Sequence, residues 1–253
     1  MFKAPEIQDL YDDFVKQTND TNFEERYKGK EHYYHASSAG SCRRKTFFQS
    51  VACVEPTNPI DKGNLRKLRL GTVFHSEMED CFRYYSTNST NSTNGTNSFK
   101  VYQEKEIIIK EFNVRGYYDL VLVLESGQVF LYDFKTMGSY PWKLKFGMKA
   151  KKPTSFRYEM QLGTYGYGVK EEFGRIDGMF LVYYNKDDSR MKQIPIELSY
   201  VCVAYRHCRE VYEHHRREGL PQFEFGVSPV ESWECNYCPF KETCQPPQYP
   251  FNK

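Results

Sequence analysis

Two groups of residues in this chain have types and spacings suited to chemistry. Residues 235–244 read CNYCPFKETC and contain Cys235, Cys238 and Cys244. Thiolates at this spacing gather a soft metal, and such centres usually take four protein ligands, so one must come from elsewhere. The second group lies in GYYDLVLVLESGQVFLYDFKT, residues 116–136, which holds Asp119, Asp133 and Lys135.

That second stretch reads as a β-hairpin. In VFLYDFK, Val129, Leu131, Asp133 and Lys135 fall on one face and Phe130, Tyr132 and Phe134 on the other. Both faces are largely apolar, as in a strand covered on both sides. A two-residue Ser126-Gly127 loop would pair Leu120 with Asp133. A three-residue Glu125-Ser126-Gly127 loop would pair Asp119 with Asp133, with Gly127 in the left-handed position that such hairpins favour. The second register is preferred. It sets two carboxylates about 5 Å apart at their Cβ atoms. Buried carboxylates that close repel unless a proton or cation lies between them. A divalent ion with oxygen ligands, Mg²⁺ or Mn²⁺, answers this, and an Asp–Lys–Asp ion network is the alternative.

Other residues join this group by spacing. His75 and Glu79 in GTVFHSEMED share one helix face, and His75 is a candidate third ligand. Gln161 and Tyr165 in QLGTYGYG are also four apart, suited to orienting a substrate. The segment WKLKFGMKAKKPTSFR, residues 142–157, holds Lys143, Lys145, Lys149, Lys151, Lys152 and Arg157 and no acid. With Trp142, Phe146 and Phe156 interleaved it suits a single nucleic-acid strand: cations follow the phosphates and rings stack on bases. Arg43, Arg44 and Lys45 form a second basic cluster.

The elements that must position these residues can be read from pattern. Helices are expected over 6–18, 37–50, 62–86, 157–173 and 199–217, and strands over 101–110, 114–124, 128–135, 177–186 and 191–197, a mixed α/β order. Between the His helix and the sheet lies a low-complexity loop, 86–99, in which Asn88, Asn91 and Asn94 match the N-x-[ST] pattern without consequence for an intracellular protein.

The 253 residues suffice for one large domain, and a net charge of +2 makes any polyanion site a local matter. No apolar run could span a membrane, and the N-terminal MFKAPEIQDLYDDF has no signal-peptide core, so an intracellular setting is expected. The eight cysteines are then thiols or metal ligands rather than disulfides.

Taken in order, G-x-x-x-H, an Asp on a strand, D-x-K on the next and Q-x-x-x-Y resemble the RecB-like branch of the PD-(D/E)XK nucleases. An early cysteine with a terminal C-x2-C-P-x4-C resembles its iron–sulfur subgroup, nearest the stand-alone CRISPR-associated exonucleases. The resemblance runs from Ser37 to Cys244. It implies an α/β fold, a mixed central sheet of restriction-endonuclease type flanked by helices, with a four-cysteine cluster joining the N-terminal helix to the C-terminal tail. The single domain 1–253 would comprise a nuclease core, 62–217, and a cluster region from 1–61 and 218–253.

The resemblance also implies roles. His75, Asp119, Asp133 and the Phe134 carbonyl would hold Mg²⁺ or Mn²⁺. Lys135 would activate water, with Gln161 and Tyr165 completing the catalytic set. Cys42, with Cys53 as its rival, would join Cys235, Cys238 and Cys244 around a [4Fe–4S] cluster. The implied activity is a metal-dependent deoxyribonuclease, a 5′-to-3′ exonuclease on single strands or DNA ends, serving recombination, replication, repair or CRISPR adaptation. Its expected partners are DNA, and further copies of the chain or other DNA-processing proteins. The alternatives are an inactive nucleic-acid-binding module of the same fold and a zinc-containing structural protein.

Overall fold

The computed structural model describes residues 6–27, 33–58, 60–87, 99–148, 150 and 155–245. The stretch 88–98, with Asn88, Asn91 and Asn94, and Lys149, Lys151 and Lys152 lie outside the described residues.

Helices α1 (Ile7–Tyr27), α2 (Arg43–Ser50) and α3 (Lys62–Thr87) precede most of the sheet, with a two-residue strand β1 (Tyr34–His35) between α1 and α2. Strands β2 (Phe99–Ile109), β3 (Val114–Leu124) and β4 (Val129–Met137) follow, then α4 (Ser139–Phe146) and α5 (Phe156–Phe173). The chain continues through β5 (Gly178–Asn185), β6 (Met191–Ile196), α6 (Ser199–Arg217) and a short α7 (Lys241–Cys244). The sheet order is β1-β3-β4-β5-β6, with β2 also paired to β3. The β4–β5 and β1–β3 pairings are parallel and the others antiparallel, so the sheet is mixed.

The edges of β3 explain where the site forms. Strand β2 runs beside nearly all of β3, from Phe99↔Leu124 to Ile109↔Val114. On the other edge β4 pairs only from Val123↔Val129 to Leu120↔Tyr132, and β1 takes over at Val114 and Arg115. Between them the edge forks. Gly116 stands there because a Cβ would meet Ala36 at 2.6 Å and the Tyr165 ring at 2.9 Å.

Helices cover both faces of the sheet. The larger core joins β3, β4 and β5 to α5 and α6 through Tyr118, Leu131, Leu181, Leu162, Val169 and Val201. The smaller one packs Leu120, Phe134 and Val182 against Phe74, Met78 and Phe82 of α3. Helix α1 lies on α3, where buried Asp12 pairs with Arg66.

Three expectations change. The single helix over 37–50 is a 3₁₀ turn, Ala36–Ser38, followed by α2 with Cys42 as its N-cap. Gly40 separates them at φ +72°. The basic segment contains α4, and Trp142 within it is buried in the main core against Phe146. Neither ring is left for bases, because the sheet needs their apolar area more.

Candidate active site

The hairpin fixes the centre of the site. Leu124 N–H donates to the Gln128 carbonyl at 2.9 Å and Gly127 adopts φ +78°, so the loop is Glu125-Ser126-Gly127, as preferred. One step beyond the last pair, Leu120↔Tyr132, Asp119 and Asp133 stand opposite each other at the fork. There the Asp119 side chain replaces a backbone partner: its Oδ2 accepts the Phe134 N–H at 2.6 Å. Asp133 is fully buried. Its Oδ2 lies 2.5 Å from Lys135 Nζ, and its Oδ1 accepts from Gln161 Nε2 at 3.2 Å. The same amide donates to Tyr165 Oη at 3.2 Å. The residues separated in sequence as D-x-K and Q-x-x-x-Y therefore form one network.

From α3, His75 places Nε2 3.1 Å from the Phe134 carbonyl oxygen and Nδ1 3.6 Å from Asp119 Oδ1. Glu104 completes this side. It lies on β2, between the pairs Gln103↔Leu120 and Lys105↔Tyr118, and so faces Asp119. Its φ is +44°, a left-handed conformation of the strained kind that persists at functional sites. One ligand atom each from His75, Glu104 and Asp119 lies within 4.8 Å of the others. Spacing alone missed Glu104. The polar run QEKE inside an apolar strand was its signal, but only the β2–β3 register aims it at Asp119.

The charges in this cluster are strained. Burial first, then the Asp133 carboxylate, raises the Asp119 pKa well above its usual range. Glu104 is pushed up to about 7 by desolvation, then by Glu79 and Asp133. Burial opposes the charge on Lys135, but Asp133 and Asp119 outweigh it and raise its pKa. Burial and the Lys135 ammonium lower that of His75, which favours the neutral, ligating imidazole. Surplus negative charge, hard oxygen donors and one imidazole make a donor set that fits Mg²⁺ or Mn²⁺.

The thiols converge separately. Cys42, Cys235, Cys238 and Cys244 line one cavity together with Lys45, Phe48 and Arg157. Cys53, Cys81, Cys202 and Cys208 do not line it. Arg44 Nε donates to Cys244 Sγ at 3.2 Å, and Cys42 Sγ lies 3.6 Å from Ser228 Oγ. Burial, then the other three thiols, raise Cys235 to about 11. Arg157 pairs with Glu234 at 3.6 Å on this cavity. Lys143 is exposed, while the Lys145 ammonium sits 5.8 Å from the Tyr158 ring and 5.7 Å from that of Tyr183.

Comparison with known proteins agrees with this fold. The crystal structure of SSO0001 matches 93% of this chain and 95% of its own at 17% identity, with a TM-score of 0.56. That of a putative exonuclease from Eubacterium rectale matches 90% of this chain and 95% of its own at 12% identity, with a TM-score of 0.50. No curated protein sequence matches. The family profile described as the PD-(D/E)XK nuclease superfamily matches residues 94–245, which include β2 to α7 and all of the network around Asp119 and Asp133 except His75. The chain belongs to the PD-(D/E)XK nuclease superfamily.

Proposed function

We propose that this protein is a metal-dependent deoxyribonuclease of the iron–sulfur, RecB-like branch, a 5′-to-3′ exonuclease on single-stranded DNA or DNA ends. The observation that carries the reading is the fork of β3, where Asp119, Asp133, Lys135, His75 and Gln161 converge. The likeness to the putative exonuclease from Eubacterium rectale supports the exonuclease part.

His75, Glu104, Asp119 and Asp133 would hold Mg²⁺ or Mn²⁺, which supplies Lewis acidity at the scissile phosphate and acidifies a water. The chain's own residues do the rest. Phe134 N–H fixes one oxygen of Asp119 and leaves the other turned to His75. Gln161, bonded to Tyr165, fixes one oxygen of Asp133. Lys135, charged and 2.5 Å from Asp133, steadies the negative charge that develops on the phosphate. The Phe134 carbonyl, 3.1 Å from His75 Nε2, would be a further ligand.

The cysteine cavity would hold a [4Fe–4S] cluster. A single tetrahedral zinc keeps its sulfurs about 3.8 Å apart, as bonds of about 2.3 Å require. Four thiols around one cavity suit either a zinc ion or a larger cluster. The resemblance of the terminal C-x2-C-P-x4-C favours the cluster, with one cysteine on each iron. Iron and sulfide content of anaerobically purified protein decides between them.

The activity test compares the wild type with Asp133→Ala and Lys135→Ala on end-labelled strands in Mg²⁺ and Mn²⁺. Loss of cleavage in both variants is expected, and equal activity in all three proteins refutes the assignment. Binding without cleavage in either ion would leave a nucleic-acid-binding module.

A further inference from the structure

The rim of the cysteine cavity carries two large aromatic side chains turned toward solvent. Trp233 is 49% exposed and Tyr237 73% exposed, and their rings meet at 6.3 Å. Rings of this size are usually covered, and their exposure beside a cavity marks a surface that receives something. The residues lining the cavity include three cations, Lys45, Arg157 and Lys241, against one acid, Glu234, which is buried and faces Arg157. The rim therefore offers flat apolar rings among positive charges, a combination that complements bases and phosphates together.

The rim also continues the active site. Arg157 stands one helical turn before Gln161 on α5, and Gln161 holds Asp133. Four residues of helix advance about 6 Å. A strand whose scissile phosphate lies at the β3 fork thus reaches Arg157 at the next turn and the aromatic rim beyond it. A duplex hides the faces of its bases, so rings of this kind serve an unpaired strand.

We propose that Trp233 and Tyr237, flanked by Arg157 and Lys241, form a stacking platform for single-stranded DNA leading to the active site. The proposal rests on the nuclease reading of that site.

The sequence supplies its own probe. The chain has two tryptophans, and Trp142 is only 6% exposed within the core, so an emission change on strand binding reports Trp233. The experiment titrates the full chain, carrying Asp133→Asn to keep the strand uncut, with a short oligothymidylate. Tryptophan emission is read alongside the anisotropy of the labelled strand. Emission should quench saturably at the same midpoint as the anisotropy, while a blunt duplex leaves it unchanged. Trp233→Phe should keep the affinity and lose the quench, and Trp233→Ala and Tyr237→Ala should each weaken binding roughly ten-fold. Binding with unchanged emission, unweakened alanine variants, or no binding overturns the platform. Quenching in a chain whose wild type cuts no DNA would remove the nuclease reading and keep the platform. Cutting without quenching does the reverse.

Discussion

The carboxylate group and the cysteine-lined cavity of this molecule are built in opposite ways. The carboxylate cluster sits at the fork of a six-stranded sheet, and backbone and side-chain hydrogen bonds from Phe134 and Gln161 fix its acids. The thiol cluster is presented by short pieces: Cys42 caps α2, Cys235 lies in a 3₁₀ turn, Cys238 ends it, and Cys244 closes a four-residue helix. Strands specify positions through many ladder bonds, whereas single turns hold theirs through few. The ties across the thiol region join pieces far apart in the chain, such as Asn58 N–H to the Pro239 carbonyl at 3.0 Å and Arg44 to the Pro221 carbonyl. The lesson is a division of labour. The sheet positions the acids whether or not an ion is bound, while a centre held by the thiols would itself fasten the chain ends.

That contrast can be broken first at the acids. Asp133→Asn should lower cleavage by at least about 10³-fold in initial-rate assays, because it removes a charge from both the ion and Lys135. Its melting temperature should change little by comparison. The thiol side should behave the other way. Cys238→Ser should lower the melting temperature by about 10 °C in a thermal scan, whereas a chelator selective for hard divalent ions stops cleavage and leaves the melt in place. If both treatments move both readouts equally, the division of labour fails.

A smaller effect sharpens the acid side. Glu104→Gln should raise the Mn²⁺ concentration needed for half-maximal cleavage roughly ten-fold, with activity recovered at high Mn²⁺. An unchanged metal requirement would remove Glu104 from the ligand set.

The smallest effect concerns pH at the thiol end. His215 is buried, its Nδ1 lies 3.0 Å from Tyr34 Oη, and burial followed by the charge of His214 lowers its pKa to about 4. Between about 6.5 and 4 the unfolded chain binds a proton that the folded one refuses, so stability falls as pH falls through this window. His207, also lowered to about 4, by burial and Arg43, adds to the same slope. His215→Phe should flatten the loss of melting temperature between pH 6.5 and 4 without abolishing it. An unaltered slope would show that His215 is not its source.

Much of the sheet was legible because its strands announce themselves locally. The run VRGYYDLVLVL is β3 from end to end, and Gly127 selected the loop that sets Asp119 opposite Asp133. Helix α4 was not legible. Its first N–H is taken by the Asp187 carboxylate, 48 residues away, at 2.7 Å, a cap that no local pattern reveals. Trp142 and Arg157 were grouped by sequence with cations for DNA. Tertiary packing sends Trp142 to the core and sets Arg157 beside Glu234 on the thiol cavity, apart from Lys143 and Lys145.

The sequence by itself determined the chemistry on offer: the D-x-K pair, the histidine and Q-x-x-x-Y at helical spacing, and the terminal cysteines. Periodicity and turn glycines are short-range, so they also set most elements and the hairpin register. Only the tertiary structure decided which of these residues meet. Glu104 joins the acids because β2 pairs along β3, and Cys42 joins the tail because α2 packs beside residues almost two hundred positions away. Such meetings depend on how layers stack rather than on neighbours along the chain.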